Sequence, residues 1–442
     1  MGGVVLAEAG AQKEHPARKS FIAHNFGRPL ESGGVRQSIL ALNMSAIGGG
    51  LLTLSYAMRL TGIGLGCFLV IVAGLASAYS IQILMEQAAE TGSTQYGELV
   101  GKKMRGCGTA FNIVLSAYGF GCQVAYSNFV GEFTSALFQV MLPSVPILHR
   151  KDFVMFAILV IVIPLTVPRS ISALRYVSPI SVVSLMYTAV LIITRTPEKV
   201  TSNVVSELNV WTIDWNFFVA LGNFIFAYNC HLNVVPVASE LQIATDVKIR
   251  KITYSAVFVQ MFFYLCIALA GYLSFGEAAR SDILANYAVD DPSAVVARCA
   301  LATTLTLAMP IGLNPTIRAF LAVFDAACEA QKDNSLETGS LEAELLERPK
   351  KSLFDNWIAR LLSAMLYTIS AAIMACLVGD PSQIFGLTSA VTGTLMMFVL
   401  PAVFCDNFRL PVIGLLVLGA LNGVGAVVIV LQGSGVLPKA PH

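Results

Sequence analysis

Two stretches decide how this chain folds: Ser38-Ile39-Leu40-Ala41-Leu42-Asn43-Met44-Ser45-Ala46-Ile47-Gly48-Gly49-Gly50-Leu51-Leu52-Thr53-Leu54, and Gly222-Asn223-Phe224-Ile225-Phe226-Ala227-Tyr228-Asn229-Cys230-His231-Leu232-Asn233-Val234-Val235-Pro236. Each is an apolar run of membrane-spanning length with an interruption near its middle. Three consecutive glycines disfavour helix by about 1 kcal/mol each relative to alanine. They also let a ligand approach the backbone closely. In the second run a polar cluster sits at mid-membrane depth, where it is costly unless it faces a cavity. Pro236 then frees the carbonyl four residues back, that of Leu232.

The surrounding chain is a membrane protein. Hydrophobic residues make up 56% of the 442 and charged residues 12%, about half the charge that a water-facing surface carries. Mean hydropathy is +0.71. A bilayer core of about 30 Å needs roughly 20 apolar residues per helix. Eleven such spans are expected, near 36–60, 63–86, 108–140, 153–168, 177–194, 215–239, 252–275, 293–317, 354–378, 382–403 and 410–432. No ten-residue alternation suggests a barrel, so internal backbone hydrogen bonding leaves an all-α membrane protein. A net charge of +1 gives a nucleic-acid partner no electrostatic support.

Lysine and arginine set the expected orientation. Lys102, Lys103, Arg105, Lys248, Arg250, Lys251, Lys350 and Lys351 fall on one side, which the positive-inside rule makes cytoplasmic. The N-terminus then lies in the cytoplasm and the C-terminus outside or in a lumen. Residues 1–35 read as a disordered cytoplasmic tail without an apolar signal segment, and residues 329–352 as a cytoplasmic loop, with Glu342 to Arg348 a linker or short amphipathic helix. The transporter region is 36–435: one repeat at about 36–194, a second at about 215–403, and a final helix at about 410–432. No pair among the nine cysteines has metal-site spacing, and His231 is the single histidine within a span. Neither metal nor cofactor is expected. No serine–histidine or paired-aspartate arrangement supports an enzyme.

The interruptions lie in the first and sixth spans, five apart. Broken helices at corresponding positions of two halves mark inverted-repeat transporters. A broken helix offers free N–H groups to an anion and free carbonyls to a cation or ammonium. A zwitterionic amino acid carries both charges. Asn43, Ser45, Gly48, Gly49, Gly50, Phe224, Tyr228 and Asn229 are therefore candidate substrate-binding residues. The alternative for the glycines is a close helix-packing surface, and for the asparagines an interhelical hydrogen bond. Gln123 and Tyr126 in the third span either line the pathway or pack between helices.

The run Gly48-Gly49-Gly50-Leu51-Leu52-Thr53-Leu54-Ser55-Tyr56-Ala57-Met58, the run from Phe226 to His231 with Val235-Pro236 and Ser239-Glu240-Leu241, and Thr304-Leu305-Thr306 with Pro310 and Pro315 resemble the amino acid/auxin permease family. The resemblance covers about 34–435. It implies a LeuT-like five-plus-five inverted repeat with broken helices 1 and 6 plus one extra helix. It also implies secondary active transport of amino acids by alternating access, driven by protons or sodium. The sodium-coupled neutral amino acid transporters look nearest in these motifs. They carry an asparagine four residues before the first motif glycine, where this chain has Met44, a poor ligand for a hard cation. Asn43 is adjacent, but one helical residue turns a side chain by about 100°. Thr306 keeps a hydroxyl, whereas Ala308 offers none. A proton needs only one titratable group, and His231 is available. His231, Asn43, Thr304 and Thr306 are thus the ion-coupling candidates. A monomer in a plasma or acidic-organelle membrane, carrying neutral amino acids, is expected. A non-transporting nutrient sensor on the same scaffold is the alternative.

Overall fold

The computed structural model describes residues 33–168, 177–200, 206, 208–336, 352–405 and 410–438. Most of the expected tail and most of the expected 329–352 loop, including 342–348, lie outside these residues. Every regular element among the described residues is a helix. The first half comprises α1 (Val35–Ala46), a 3-10 turn (Gly49–Thr53), α2 (Leu54–Thr61), α3 (Ile63–Thr91), α4 (Tyr96–Lys103), α5 (Gly108–Met141), α6 (Lys151–Thr166) and α7 (Val177–Lys199). The second comprises α8 (Phe217–Ala227), α9 (His231–Ser239), α10 (Asp246–Phe275), α11 (Pro292–Leu336), α12 (Trp357–Val378), α13 (Pro381–Thr388), a π-helical stretch (Ser389–Val399), α14 (Leu400–Phe404) and α15 (Leu410–Gly433).

Eight helices among the described residues are long and apolar enough to cross a membrane, and the first span, bent by 54° at its break, makes a ninth. The other two expected spans are helical as well. One is α5, 34 residues long but interrupted by Asn112, Gln123, Asn128 and Glu132. The other is α6, at 16 residues shorter than a bilayer core requires. The eighth span continues as helix to Leu336, beyond residue 329 where the sequence reading begins a loop. The short helix α4 was not expected. Its Glu98–Lys102 ion pair at 2.7 Å, four residues apart, is the local signal for it. Thr94 donates to Glu98 from both its amide and its hydroxyl. Together with Lys102 these bonds hold the carboxyl down, at about 2.

Small residues bring the helices together. A side chain on Gly119 of α5 would strike Thr316 of α11, and one on Gly222 of α8 would stand 2.8 Å from the Gly386 backbone of α13. The corner between α2 and α3 turns on Gly62, whose φ of +78° is the left-handed region open to glycine. Segment 209–212 clamps that corner: Ile63 and Gly64 donate to the carbonyls of Asn209 and Val210, and Thr212 donates to that of Thr61. The first span is thereby fixed at one end and broken in its middle.

Candidate functional site

The first span ends its opening helix at Ala46, where the Ile47 amide still reaches the Asn43 carbonyl. Gly48 is extended, with φ −137° and ψ −155°, and a tighter 3-10 turn follows from Gly49. A helix start leaves its first N–H groups without intrahelical partners. Gly48 and Gly49 face Tyr126 of α5: a Cβ on Gly49 would stand 3.3 Å from its ring and one on Gly48 4.0 Å from its hydroxyl. Gly50 faces the other way, with Phe226 3.1 Å from its Cβ position.

The sixth span is interrupted at Tyr228 to Cys230, between α8 and α9. The interruption falls within the polar cluster of the sequence reading and not at Pro236, the breaker that follows it. The proline sits inside α9, and the chain leaves helix eight residues before it. The reason is local. Asn229 Oδ1 accepts from the His231 amide at 3.4 Å, and the carbonyls at the break find partners on neighbouring helices. Tyr264 donates to the Ala227 carbonyl at 2.6 Å and Ser77 to that of Tyr228 at 3.5 Å. Unlike the first span, the sixth passes as a single stretch from Phe217 to Ser239.

A cavity of about 920 Å³ lies between these breaks. Ser45, Gly48, Gly49, Asn229 and Thr304 line it, as do Met44, Tyr118, Cys122, Gln123 and Tyr126. Asn233 also lines it and donates to Ser45 at 2.5 Å, joining the two broken spans. The lining runs out to Gln95, Glu240 and Arg318. Beyond the glycines, Phe226 stacks on Phe385 with ring centroids 4.3 Å apart, and Phe129 lies 6.0 Å from Phe385. These rings pack against the glycine break, Phe385 standing 3.7 Å from the Cβ position of Gly49.

At that far end, Arg59 donates to the Ala279 carbonyl at 2.9 Å and pairs with Glu277 at 3.5 Å. Lys151 pairs with Glu132 at 3.5 Å and donates to Asn128 at 2.8 Å. Arg298 donates to four carbonyls, those of Leu284, Tyr287, Ala288 and Val289. Burial, with the Glu132 charge nearby, pushes the Asp282 carboxyl in this loop well above the usual range. Ion pairs and hydrogen bonds thus tie the far end of the bundle together, whereas the cavity lining runs out to the exposed Glu240 and Arg318.

Several sequence candidates stand outside the lining. Phe224 is wholly buried in the core. Tyr228 turns to α3, where it donates to the Val70 carbonyl at 3.0 Å over Gly74. His231 is wholly buried, with Nε2 2.6 Å from Ser80 Oγ of α3. Asn43 is buried with Oδ1 unpartnered and is not part of the cavity lining, whereas Met44 lines it. Thr306 donates to the Ala302 carbonyl at 2.7 Å, and Thr304 does the same to Ala300 at 2.9 Å. The sequence reading missed Asn233, Tyr264, Ser77 and Ser80. Each lies on an ordinary helical face, and only the fold brings it to a break.

An all-helical membrane protein with a cavity between two broken spans belongs to the broad class of solute carriers. More narrowly, the family described as transmembrane amino acid transporter protein matches residues 31–406, and the chain belongs to it. That family is one of transporters and not of enzymes. A Toxoplasma gondii protein named as an amino acid transporter is 27% identical over 325 residues, 73% of this chain and 45% of its own length. Vacuolar amino acid transporter 6 of Saccharomyces cerevisiae is 23% identical over 400 residues, 84% of this chain and 89% of the yeast protein. A Rattus norvegicus protein named for sodium-coupled neutral amino acid transport is 27% identical over 299 residues, 65% of each chain. This chain thus spans less than half the length of the first of these.

Proposed function

We propose that the chain is a secondary active transporter that moves neutral amino acids across a membrane by alternating access. The observation that carries this is the cavity. It reaches the bare glycine break of the first span, behind which Phe226, Phe385 and Phe129 pack, and its lining runs out to the exposed Glu240 and Arg318. The amides from Gly48 onward take the substrate carboxylate. Asn229, Ser45 and Thr304 complete the polar contacts. The charged residues in the lining, Glu240 and Arg318, stand at the mouth, so a neutral side chain suits the interior.

In this reading the helices form eleven spans, with 1–5 and 6–10 as inverted repeats. The protein is a monomer in a plasma or acidic-organelle membrane, with the N-terminus in the cytoplasm and the C-terminus external or lumenal. The mouth then faces the cytoplasm. The coupling ion is a proton, with His231 the titrating group. Met44 in the cavity wall, with Asn43 outside it, supports sodium independence. Purified protein in liposomes, offered a panel of labelled amino acids, should accumulate neutral ones under an inward proton gradient. Replacing sodium with choline at fixed pH should leave uptake intact, and collapsing the gradient should reduce it. No uptake of any amino acid would refute the transport reading, and a steep loss in choline would refute the proton assignment alone.

A further inference from the structure

Asp282 lies in the loop between α10 and α11, at the far end of the bundle. It is 3% exposed. Its Oδ1 accepts from the Leu284 amide at 3.0 Å and so caps the turn Ile283–Asn286. Among the described residues no lysine or arginine pairs with it. Three charges stand around it. Arg298 of α11 gives its guanidinium to four carbonyls of the same loop. Lys151 of α6 is held by Glu132 and Asn128 of α5. Glu132 itself brings a second negative charge. A buried carboxylate without a paired cation is costly when charged and takes up a proton instead. Burial first, and then the Glu132 charge, accordingly hold the Asp282 carboxyl well above the ordinary aspartate range. The Leu284 amide, Arg298 and Lys151 oppose that rise without overcoming it.

The same loop is seated on the first span. Its turn Ile283–Asn286 packs on the 3-10 turn Gly49–Thr53, which carries no titratable side chain. Ile283 Cδ1 stands 3.0 Å from the Cβ position of Gly271, where Ser55 of α2 also packs. Arg59 of α2 holds the Ala279 carbonyl. Parting the far end therefore separates this loop from the first span or from α5 and brings water to Asp282.

We propose that Asp282 is a proton-binding site that ties the far end of the bundle to pH: its carboxyl holds a proton while the loop is packed on the first span and α5, and releases that proton to water when the loop parts from them. The site is separate from His231. It also goes beyond the transport reading, which supplies a reason for the far end to open, whereas the proton site is a property of the loop. Protonation belongs to the packed arrangement. That arrangement is fully favoured below the ordinary aspartate value of about 3.9, and its advantage is lost as pH rises toward and through the raised value.

The test is hydrogen exchange of segment 279–288 in the purified full-length protein in lipid nanodiscs. It is followed from about pH 5 to about pH 8, above the ordinary aspartate value, and corrected for the intrinsic pH dependence of exchange. The opening constant of the loop should rise by up to about tenfold per pH unit, the slope of one linked proton. Asp282→Asn keeps an acceptor for the Leu284 amide but has no proton to lose, so its loop should stay protected at every pH. Glu132→Gln removes the neighbouring negative charge, so its rise should level off at lower pH than that of the wild type. Gel filtration checks that each variant is folded, and the wild-type slope with Glu132→Gln decides the matter where Asp282→Asn does not fold. A wild-type loop whose opening is independent of pH overturns the proposal. So does an unchanged slope in Asp282→Asn, which would give the proton to another group, or an unmoved plateau in Glu132→Gln. Opening is read without transport, so a protein with this pH dependence that takes up no amino acid refutes the transport reading and not the proton site.

Discussion

Gly49→Val is the substitution that most directly tests whether the first-span break is a binding surface. The Cβ of any larger residue there would lie 3.3 Å from Tyr126 Cε1 and 3.7 Å from Phe385 Cζ. The first distance is a few tenths of an ångström too short for comfortable carbon contact. Alanine therefore needs a small shift of Tyr126 toward the cavity. Valine adds two γ-carbons, each about 1.5 Å further out, and both rings must move. Overpacking of this kind costs about 1–3 kcal/mol. Where the strain is relieved by pushing Tyr126 into the substrate's space, that cost becomes a loss of about 5- to 150-fold in apparent affinity. Uptake in proteoliposomes at subsaturating substrate, normalised to monodisperse protein on gel filtration, should fall modestly for Gly49→Ala and by about 5- to 150-fold for Gly49→Val. Normal rate and affinity in the valine variant would refute the reasoning: the glycines would then be a packing surface only.

Three further outcomes follow from the geometry. Tyr264→Phe removes the hydroxyl that covers the Ala227 carbonyl, at a cost of about 1 kcal/mol, and should lower the melting temperature measurably; an unchanged value would mean that this carbonyl needs no cover. Glu277→Gln should change stability by less than about 1 kcal/mol, since its side chain is 46% exposed, whereas Arg59→Met strips a buried donor from the Ala279 carbonyl and should cost about 1–3 kcal/mol; equal melting temperatures for the two variants would count against that division. The Glu98 carboxyl, depressed to about 2 in the fold, lends stability to α4 that is fully present above the ordinary glutamate range and lost as pH falls through it toward 2; hydrogen exchange in 94–103, corrected for its intrinsic pH dependence, should reveal opening only below about pH 4.5, and opening that begins near neutrality would contradict the assignment.

Much of the fold is written in local chemistry. The apolar runs give the helices, and Gly48-Gly49-Gly50 gives the first break because three adjacent residues without side chains leave helix wherever they stand. The sixth break was legible as a polar cluster, and the helix is interrupted inside it, at Tyr228 to Cys230. Proline is the loudest signal in that span, yet Pro236 is tolerated inside α9. The interruption falls instead where Tyr264 and Ser77, distant in sequence, meet the freed carbonyls. Facing was less legible still. Asn43, Met44 and Ser45 are adjacent, and helical rotation places Met44 and Ser45 on the cavity and leaves Asn43 out of its lining. Tyr228 and His231 looked like site residues because they are polar groups in a membrane span. The fold turns both to α3 instead: Tyr228 is satisfied on the Val70 carbonyl, and His231 meets Ser80 through Nε2 while its Nδ1 keeps no partner among the described residues.

The two breaks consequently play unequal parts. At the sixth, side chains from α3 and α10 cover the freed carbonyls, and the two halves of the span stay nearly in line. At the first, the chain bends by 54° and the glycines present backbone to the cavity. Polar backbone without cover is stable at membrane depth only where it lines a cavity or meets a ligand. In the proposed reading, binding energy for the substrate's carboxylate is therefore concentrated at the first break, and the sixth acts as a fixed wall holding Asn229 and Asn233 toward it. Asn233, through Ser45, is the direct bond between wall and hinge. A ligand that engages the amides from Gly48 onward acts on the bent span alone, whose far end is held by Gly62 and by Arg59. The end held by Arg59, Glu277 and Ala279 is thus connected through Gly50 to Met58, across the 3-10 turn and α2, to the amides proposed to take the substrate carboxylate, and in that reading it is along this stretch that occupancy of the cavity bears on the far end.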